Sequence, residues 1–546
     1  METSKLTQVQ SGRLLLSQEA SRSLDEQAHQ EWGFNPFALI EAAGRLCAER
    51  FLRSYPEIFT KAKNTRITVA AGSGANAADC LTMLRYWILS NLVSPSNAAV
   101  ILTRPDCVLG DSPNAQLLKS MRKLGVKVLE WNGELSGSSM PEASREAVSL
   151  FESACVIIDG IAGTGLNGAL KGAALEMANA INAIQKPFVL SVDVPSGNFD
   201  GWEAGMPIIK ACATLSIQPQ KLCLYVPAAR PFAGEILPVS GVFPEELTCK
   251  QTGYELLDWE TAQTRITKIR PDTFKNQRGL VEIRAGSPGI TGAALIAAKG
   301  AQAAGAGLVR IVSDDEVYPI LASQVTGIMV KPESKAKTID LAADAVLLGP
   351  GWGKELDRKP VVENALLQEK KGVPLILDAD AIALVKDKIF SGYAILTPHP
   401  GELSAFSGIA KEKLLSNSGD LILKLARERN AVILSKGHVI MIAAPDGRLG
   451  IVDGMKPVLA AGGSGDLLAG LCAGIAARMA QENRYCGFDC ACIAATLLTE
   501  SACTRRFGKQ FTDPIELATR TALLAGEAWL GTECSRLENK RETHDR

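Results

Sequence analysis

Short apolar runs, each closing on small or polar residues, recur along the chain with amphipathic stretches between them. Residues 18–53 read as helical and 65–71 as a strand, and the two patterns then alternate through the apolar runs at 98–102 and 126–131. Val156-Ile157-Ile158-Asp159-Gly160, Phe188-Val189-Leu190-Ser191-Val192-Asp193 and the run at 213–217 continue the series. Runs that are apolar at nearly every position mark strands buried on both faces, the condition of a mostly parallel sheet with helices on either side. Strands alternating with helices predict a doubly wound α/β arrangement. The pattern breaks at 248–265, which is polar and has no long apolar period. It resumes with a strand at 279–283, a Gly-Ser-Pro-Gly turn at 286–289 and an alanine-rich helix at 292–305. Two domains are therefore expected, 1–247 and 265–546, joined by a linker at 248–264. The small residues of the 292–305 helix permit close packing on a sheet. The charged end, 535–546, is expected to fray.

In the second half the apolar runs close on Gly349-Pro350-Gly351-Trp352-Gly353, Leu377-Asp378-Ala379-Asp380, Leu396-Thr397-Pro398-His399-Pro400-Gly401-Glu402 and Leu434-Ser435-Lys436-Gly437. Loops at the carboxyl ends of parallel strands form the ligand crevice of such folds. Further on, Ala461-Gly462-Gly463-Ser464-Gly465-Asp466-Leu467-Leu468-Ala469-Gly470 puts glycines and one carboxylate where a loop enters an apolar helix. Glycine lets the backbone approach an anion, first-turn N–H groups point at it, and the helix dipole favours its charge. A carboxylate beside a phosphoryl group repels it unless it orients, or takes a proton from, an attacking hydroxyl. Asp466 is therefore the candidate base of a phosphoryl transfer, with Gly463, Ser464 and Gly465 as the phosphate cradle. The same segment also reads as an ordinary helix start capped by aspartate.

Together and in this order, these blocks resemble the ribokinase-like ADP/ATP-dependent NAD(P)HX dehydratases over 265–530. The resemblance implies a three-layer α/β/α domain in which Asp466 activates the substrate and Gly465 touches nucleotide phosphate. It further implies that Lys436 and Gly437 lead to the nucleotide, while Ala293, Gly353 and His399 lie beside the substrate. Lys436 also reads as a solvated surface lysine, and His399 as a turn histidine fixed between two prolines. Glu402 would hold its loop or a magnesium-water shell. The family's His-Lys-Gly near the domain start is Phe274-Lys275-Asn276 here. The implied reaction uses ADP or ATP with Mg2+ to phosphorylate the ring hydroxyl of hydrated NAD(P)H, whose elimination restores NAD(P)H. The alternative is a ribokinase-like small-molecule kinase carrying a non-catalytic N-terminal binding domain.

In the first half, Leu39-Ile40-Glu41-Ala42-Ala43-Gly44, the strand ending Asp159-Gly160-Ile161-Ala162-Gly163-Thr164-Gly165, and Asp193-Val194-Pro195-Ser196-Gly197 resemble the Rossmann-like NAD(P)HX epimerase domain. That resemblance implies K+ on Asn76, Asp159 and Ser196, and substrate on Asp193 and Gly163-Thr164-Gly165. Asp193 would orient or protonate the ring hydroxyl as it leaves and returns; it also reads as a turn cap before Pro195 and Gly197. Where the family has Gly-Asn-Asn-Gly-Gly-Asp-Gly, this chain has Gly74-Ala75-Asn76-Ala77-Ala78-Asp79-Cys80. Alanine and cysteine take positive φ less readily than glycine, so weakened phosphate approach and slow epimerisation are expected.

Composition fits this picture. With 546 residues, 47% apolar and 21% charged, the chain has the make-up of a globular protein with more than one core. A net charge of −1 gives no global field for nucleic acid or anionic lipid. No apolar stretch is long enough to span a bilayer and the polar start lacks a leader pattern, so a cytoplasmic protein is expected. The 13 cysteines lie mostly in apolar contexts, as reduced thiols packing like small hydrophobes. Cys486, Cys490, Cys492 and Cys503 lack paired Cys-x-x-Cys spacing. A homo-oligomer is expected.

Overall fold

In the computed structural model, residues 13–59, 65–105, 110, 112–131, 142–251, 253–353, 355 and 357–530 are described; the tail expected to fray lies outside them. The chain divides into two units, Met1–Glu255 and Leu256–Arg546.

The first unit carries a seven-stranded sheet: β1 (Ile67–Ala71), β2 (Ala98–Leu102), β3 (Lys127–Glu130), β4 (Val156–Gly160), β5 (Phe188–Val192), β6 (Ala213–Ile217) and β7 (Glu235–Val239). They pair in the order β3-β2-β1-β4-β5-β6-β7, all parallel. The side-chain period of two sends alternate residues to opposite faces. Ile67 and Val69 of β1, with Val156 and Ile158 of β4, pack beneath α2 (Pro36–Ser54), α3 (Ala75–Leu89) and α4 (Pro113–Lys123). Ala70 and Ile157 pack on the other face, beneath α5 (Glu142–Ser153) and α6 (Gly172–Ala183). Both faces are covered, which is why the strands read as continuous apolar runs. Strand order reverses between β1 and β4, so their carboxyl ends frame a crevice.

The expected helix at 18–53 is two helices, α1 (Gln18–Gln30) and α2. Gly33 at φ 70° breaks the run, and Asn35 accepts from the Phe37 N–H to cap a helix that opens on Pro36. The stretch expected as a linker also carries structure. Tyr254–Leu257 is a strand, and Trp259–Gln263 is a short helix with a reciprocal Asp258–Thr261 capping box. Elements this short show no apolar period.

The second unit holds β8 (Leu280–Arg284), β9 (Leu308–Ser313), β10 (Met329–Pro332), β11 (Ala345–Leu348), β12 (Leu375–Leu377), β13 (Ala394–Leu396), β14 (Val432–Ser435), β15 (Val439–Ala443) and β16 (Leu449–Asp453). Their order is β10-β9-β8-β11-β12-β13-β14-β15-β16, parallel as far as β14 and antiparallel after it. One face packs against α7 (Thr291–Ala303), α10 (Ser464–Gln481), α11 (Gly487–Ser501) and α12 (Pro514–Leu530). The other packs against α8 (Lys359–Glu369) and α9 (Pro400–Ser407). This is the expected three-layer α/β/α arrangement.

The small residues of α7 serve a helix more than a sheet. A Cβ on Gly470 of α10 would lie 2.0 Å from the Ala297 carbonyl oxygen, and one on Gly300 would lie 2.5 Å from that of Leu467. Backbone meets backbone at this crossing, and glycine is what allows it.

Candidate functional site

In the second unit the glycine-rich segment turns into α10 at Gly463, whose φ of 90° a side chain would resist. Ser464, Gly465 and Asp466 form the first turn, where a helix leaves N–H groups without intrahelical partners and concentrates its positive end. Lys436, one residue beyond β14, reaches this turn: a Cβ on Gly465 would lie 3.3 Å from its Nζ. The ammonium bonds Asp378 Oδ1 at 2.7 Å and lies 3.9 Å from Glu402 Oε2. Lys436 is thus a paired, largely buried group, not a solvated surface lysine. Burial alone would lower its proton affinity, but Asp378, Glu402 and Asp466 together raise it.

Burial, then the nearby charge of Asp378, lifts Asp466 to about 6; Lys436 pulls it down and Glu402 adds to the rise. A carboxylate titrating there is ionised at neutral pH yet retains enough basicity to receive a proton. Lys436, Gly437, Ser464 and Gly465 line one wall of a cavity of about 430 Å³ whose other walls include Ile440, Leu459, Leu468 and Leu498. An apolar chamber that opens on a helix N-terminus and a lysine suits a planar base joined to phosphates.

His399 stands at the start of α9 with its side chain more than half exposed, and its Nδ1 accepts from the Gly401 and Glu402 N–H groups. Glu402 Oε2 accepts the His399 N–H at 2.8 Å, so this carboxylate holds the loop. Gly353 and Ala293 lie where strand order reverses between β8 and β11. The Gly353 N–H donates to Asp380 Oδ2 at 2.9 Å, and Ala293 leaves no room for a side chain on Gly351. The nucleotide and substrate candidates thus lie along one edge of one sheet, its carboxyl edge.

In the first unit, Asp159 near the end of β4 is fully buried, and its oxygens accept from Ser191 Oγ at 2.7 Å, the Ser196 N–H at 2.8 Å, the Ile161 N–H at 3.3 Å and the Ser196 hydroxyl. Burial raises its proton affinity against the pull of those donors. Asn76 Nδ2 donates to the Ala162 carbonyl at 3.3 Å and Ser196 Oγ lies 3.0 Å from the same oxygen, which brings Asn76, Asp159 and Ser196 around one point. Asn76 Oδ1 is buried without a hydrogen-bond partner. An orphaned amide oxygen beside a carboxylate and a hydroxyl fits a hard cation. Among the described residues no group of three or more His, Cys, Asp or Glu side chains is placed to hold a metal ion. Of the Gly163-Thr164-Gly165 turn, Gly163 packs on Asn76, 2.8 Å from its Cβ if a side chain is built, while Gly165 faces open space.

Asp193 follows β5 in left-handed backbone, φ 64°, and its Oδ1 accepts from Lys221 Nζ at 2.6 Å. Lys221 also donates to the Ile217 carbonyl at 3.0 Å. Asp79 and Asp25 lie close enough to feel both charges. Burial lifts Asp79 well above the ordinary range and Asp25 to about 6, with Asp193 adding to both rises and Lys221 opposing them.

The expected divergent phosphate loop is not a loop. From Ala75 onward it is the start of α3, with Ala77, Ala78 and Cys80 buried and at ordinary helical φ. Cys80 fills the space left by Gly160, whose added Cβ would lie 2.6 Å from Sγ. No positive φ is asked of these residues, so the expected conformational penalty does not arise. Sequence reasoning gave no role to Asp378, Thr397 or Lys221; the first two stand just past an apolar strand and Lys221 ends the two-residue strand Gln220–Lys221, each polar yet at most 4% exposed.

The NAD(P)H-hydrate dehydratase family matches residues 281–520, and the YjeF-related protein N-terminus family matches residues 36–223. The bifunctional NAD(P)H-hydrate repair enzyme of Moorella thermoacetica is 31% identical over 473 residues, covering 83% of this chain and 86% of its own. That of Coxiella burnetii is 28% identical, covering 83% and 88%. Among solved structures, an ADP/ATP-dependent NAD(P)H-hydrate dehydratase from Bacillus subtilis, co-crystallised with ATP/Mg2+, is 24% identical with a TM-score of 0.44, over 50% of this chain and 99% of that one. With two family matches in series and a relative aligned over most of both lengths, the chain belongs to the bifunctional NAD(P)H-hydrate repair enzymes.

Proposed function

We propose that the second unit dehydrates the S epimer of hydrated NADH or NADPH at the expense of ADP or ATP, and that the first unit interconverts the R and S epimers. The observation that carries the reading is Asp466, raised to about 6 in the first turn of a helix and facing a buried lysine beside a cavity. The ring hydroxyl gives its proton to Asp466 as its oxygen attacks the terminal phosphoryl group. The nucleotide leaves one phosphate shorter; the ring C–O bond of the new ester then breaks, inorganic phosphate leaves, and loss of a proton from the adjacent ring carbon restores the double bond. The N–H groups of the first turn and the Lys436 ammonium stabilise the charge that develops on the phosphoryl oxygens. Mg2+, when bound with the nucleotide, neutralises phosphate charge. Asn76, Asp159 and Ser196 would hold K+ in the first unit, beside Asp193 and the Gly163-Thr164-Gly165 turn. A cytoplasmic location accords with free thiols at every described cysteine, and a homo-oligomer belongs to the same reading.

Incubating the chain with hydrated NADH, Mg2+ and either ADP or ATP, and following the reduced-nicotinamide absorbance, tests this. Recovery of NADH that requires nucleotide is expected. Phosphorylation of a sugar or pyrimidine alcohol with no recovery of NADH would favour the kinase reading instead.

A further inference from the structure

Three adjacent parallel strands of the second unit each deliver one side chain to a common point just past their carboxyl ends: Asp378 after β12, Thr397 after β13 and Lys436 after β14. Asp378 is 1% exposed and Thr397 fully buried. Asp378 Oδ1 accepts from Thr397 Oγ1 and from Lys436 Nζ, each at 2.7 Å. The backbone that carries the carboxylate is itself fixed. The Asp378 N–H donates to the Leu348 carbonyl at 3.0 Å, its own carbonyl abuts Gly349 with no room for a side chain, and Ala379 is held at φ 48°. A non-glycine residue persists in that conformation only where its surroundings over-determine it.

Lysine is a flexible stem ending in a point charge, so its position is set by what it bonds. Among the described residues the other carboxylate within ion-pair reach of Nζ is Glu402, at 3.9 Å, and Glu402 already accepts the His399 N–H. Without Asp378 no buried acceptor would keep the ammonium against Gly465, and the stem has rotamers that lead to Glu402 or solvent.

We propose that Asp378, braced by Thr397, is a positioning residue that fixes the Lys436 ammonium over the start of α10, where the transferring phosphate of the nucleotide lies; this rests on the dehydratase reading of the unit. Asp378 acts through Lys436 and does not itself meet the nucleotide.

The test is a double-mutant cycle on the full chain with Asp378→Asn, Lys436→Met and the pair, measuring ADP affinity by calorimetry and steady-state NADH recovery. Asp378→Asn is expected to weaken ADP binding and raise the nucleotide KM on the order of 10- to 100-fold, the range for a hydrogen bond to a charged group. The KM for hydrated NADH should stay within about 2-fold, and in the Lys436→Met background the same change should add less than about 3-fold. A loss equally large with and without Lys436, or one that falls on the hydrated-NADH KM, would overturn the proposal. Should Asp378→Asn fail to fold because it strands a buried lysine, Thr397→Val in the two Lys436 backgrounds gives the same cycle with both charges kept. Its loss must likewise vanish when Lys436 is gone. Wild type that binds ADP without restoring NADH would overturn the dehydratase reading and leave the affinity cycle to decide Asp378; wild type that binds no adenine nucleotide would overturn both.

Discussion

Replacing Asp466 by asparagine is expected to do two opposite things, to remove turnover and to stabilise the second unit at neutral pH. The carboxyl titrates at about 6 in the folded chain against an ordinary 3.8, because it is buried and faces Asp378 and Glu402, with Lys436 only partly compensating. The folded state therefore binds this proton more tightly than the unfolded state. Its contribution to stability is fully present below about pH 3.8 and is lost as the pH rises through about 6. A change of that size corresponds to about 3 kcal/mol, reduced by partial solvent access to about 1–3 kcal/mol. Asparagine keeps the shape and has no charge to desolvate, so it escapes the loss. Scanning calorimetry of the full chain at pH 5 and pH 8 reads this, the second unit's transition being the one that ADP moves upward. The variant should melt above wild type at pH 8, by a margin that shrinks at pH 5. Turnover should fall roughly 100- to 10,000-fold, the usual loss for a general base. Wild-type turnover should itself drop below about pH 6, where Asp466 is protonated and cannot accept the hydroxyl proton. An asparagine variant that melts below wild type at pH 8, or retains more than a third of its turnover, would show that the carboxylate is held by favourable contacts and is not the base.

Two further substitutions test the packing that supports these sites. Gly470→Ala, whose Cβ would lie 2.0 Å from the Ala297 carbonyl, should destabilise the second unit by about 1–3 kcal/mol or more despite alanine's better helix propensity, whereas Gly526→Ala, in the open on α12, should stabilise by up to about 1 kcal/mol; denaturant titration checks both signs. Restoring the family's glycines through Ala77→Gly, Ala78→Gly and Cys80→Gly should cost the first unit about 3 kcal/mol, near 1 kcal/mol for each glycine placed inside α3, so a variant as stable as wild type would mean that this segment is not helical.

How much of this was legible depends on the distance over which each cause acts. Both sheets were legible because a strand buried on two faces writes its state into consecutive residues, as Val156-Ile157-Ile158 and Leu347-Leu348 do. The start of α3 was misread for the opposite reason: the family's glycine pattern was laid over Ala-Asn-Ala-Ala-Asp-Cys, a composition far more helical than Gly-rich. The pairings that shape the sites were out of reach, since Asp193 and Lys221 are 28 residues apart and Asp378 and Lys436 are 58 apart, and periodicity sees only the next turn or the next pleat.

A simpler signal was available at short range. In a parallel sheet, the first residue beyond a buried run is the first that can face the crevice, so a polar residue there is either solvated or held for a purpose. That position holds Asp193 after β5, Asp378 after β12, Thr397 after β13 and Lys436 after β14, and the first three are less than a tenth exposed. A buried polar group must be satisfied or functional, and here each is satisfied by another member of its own site. The rule does not reach Asp466 or Lys221, which come from a helix start and a two-residue strand. In each unit the carboxyl edge of the sheet stays open to one of them: helix α10 brings Asp466 to Lys436 in the second unit, and the strand Gln220–Lys221 brings Lys221 to Asp193 in the first.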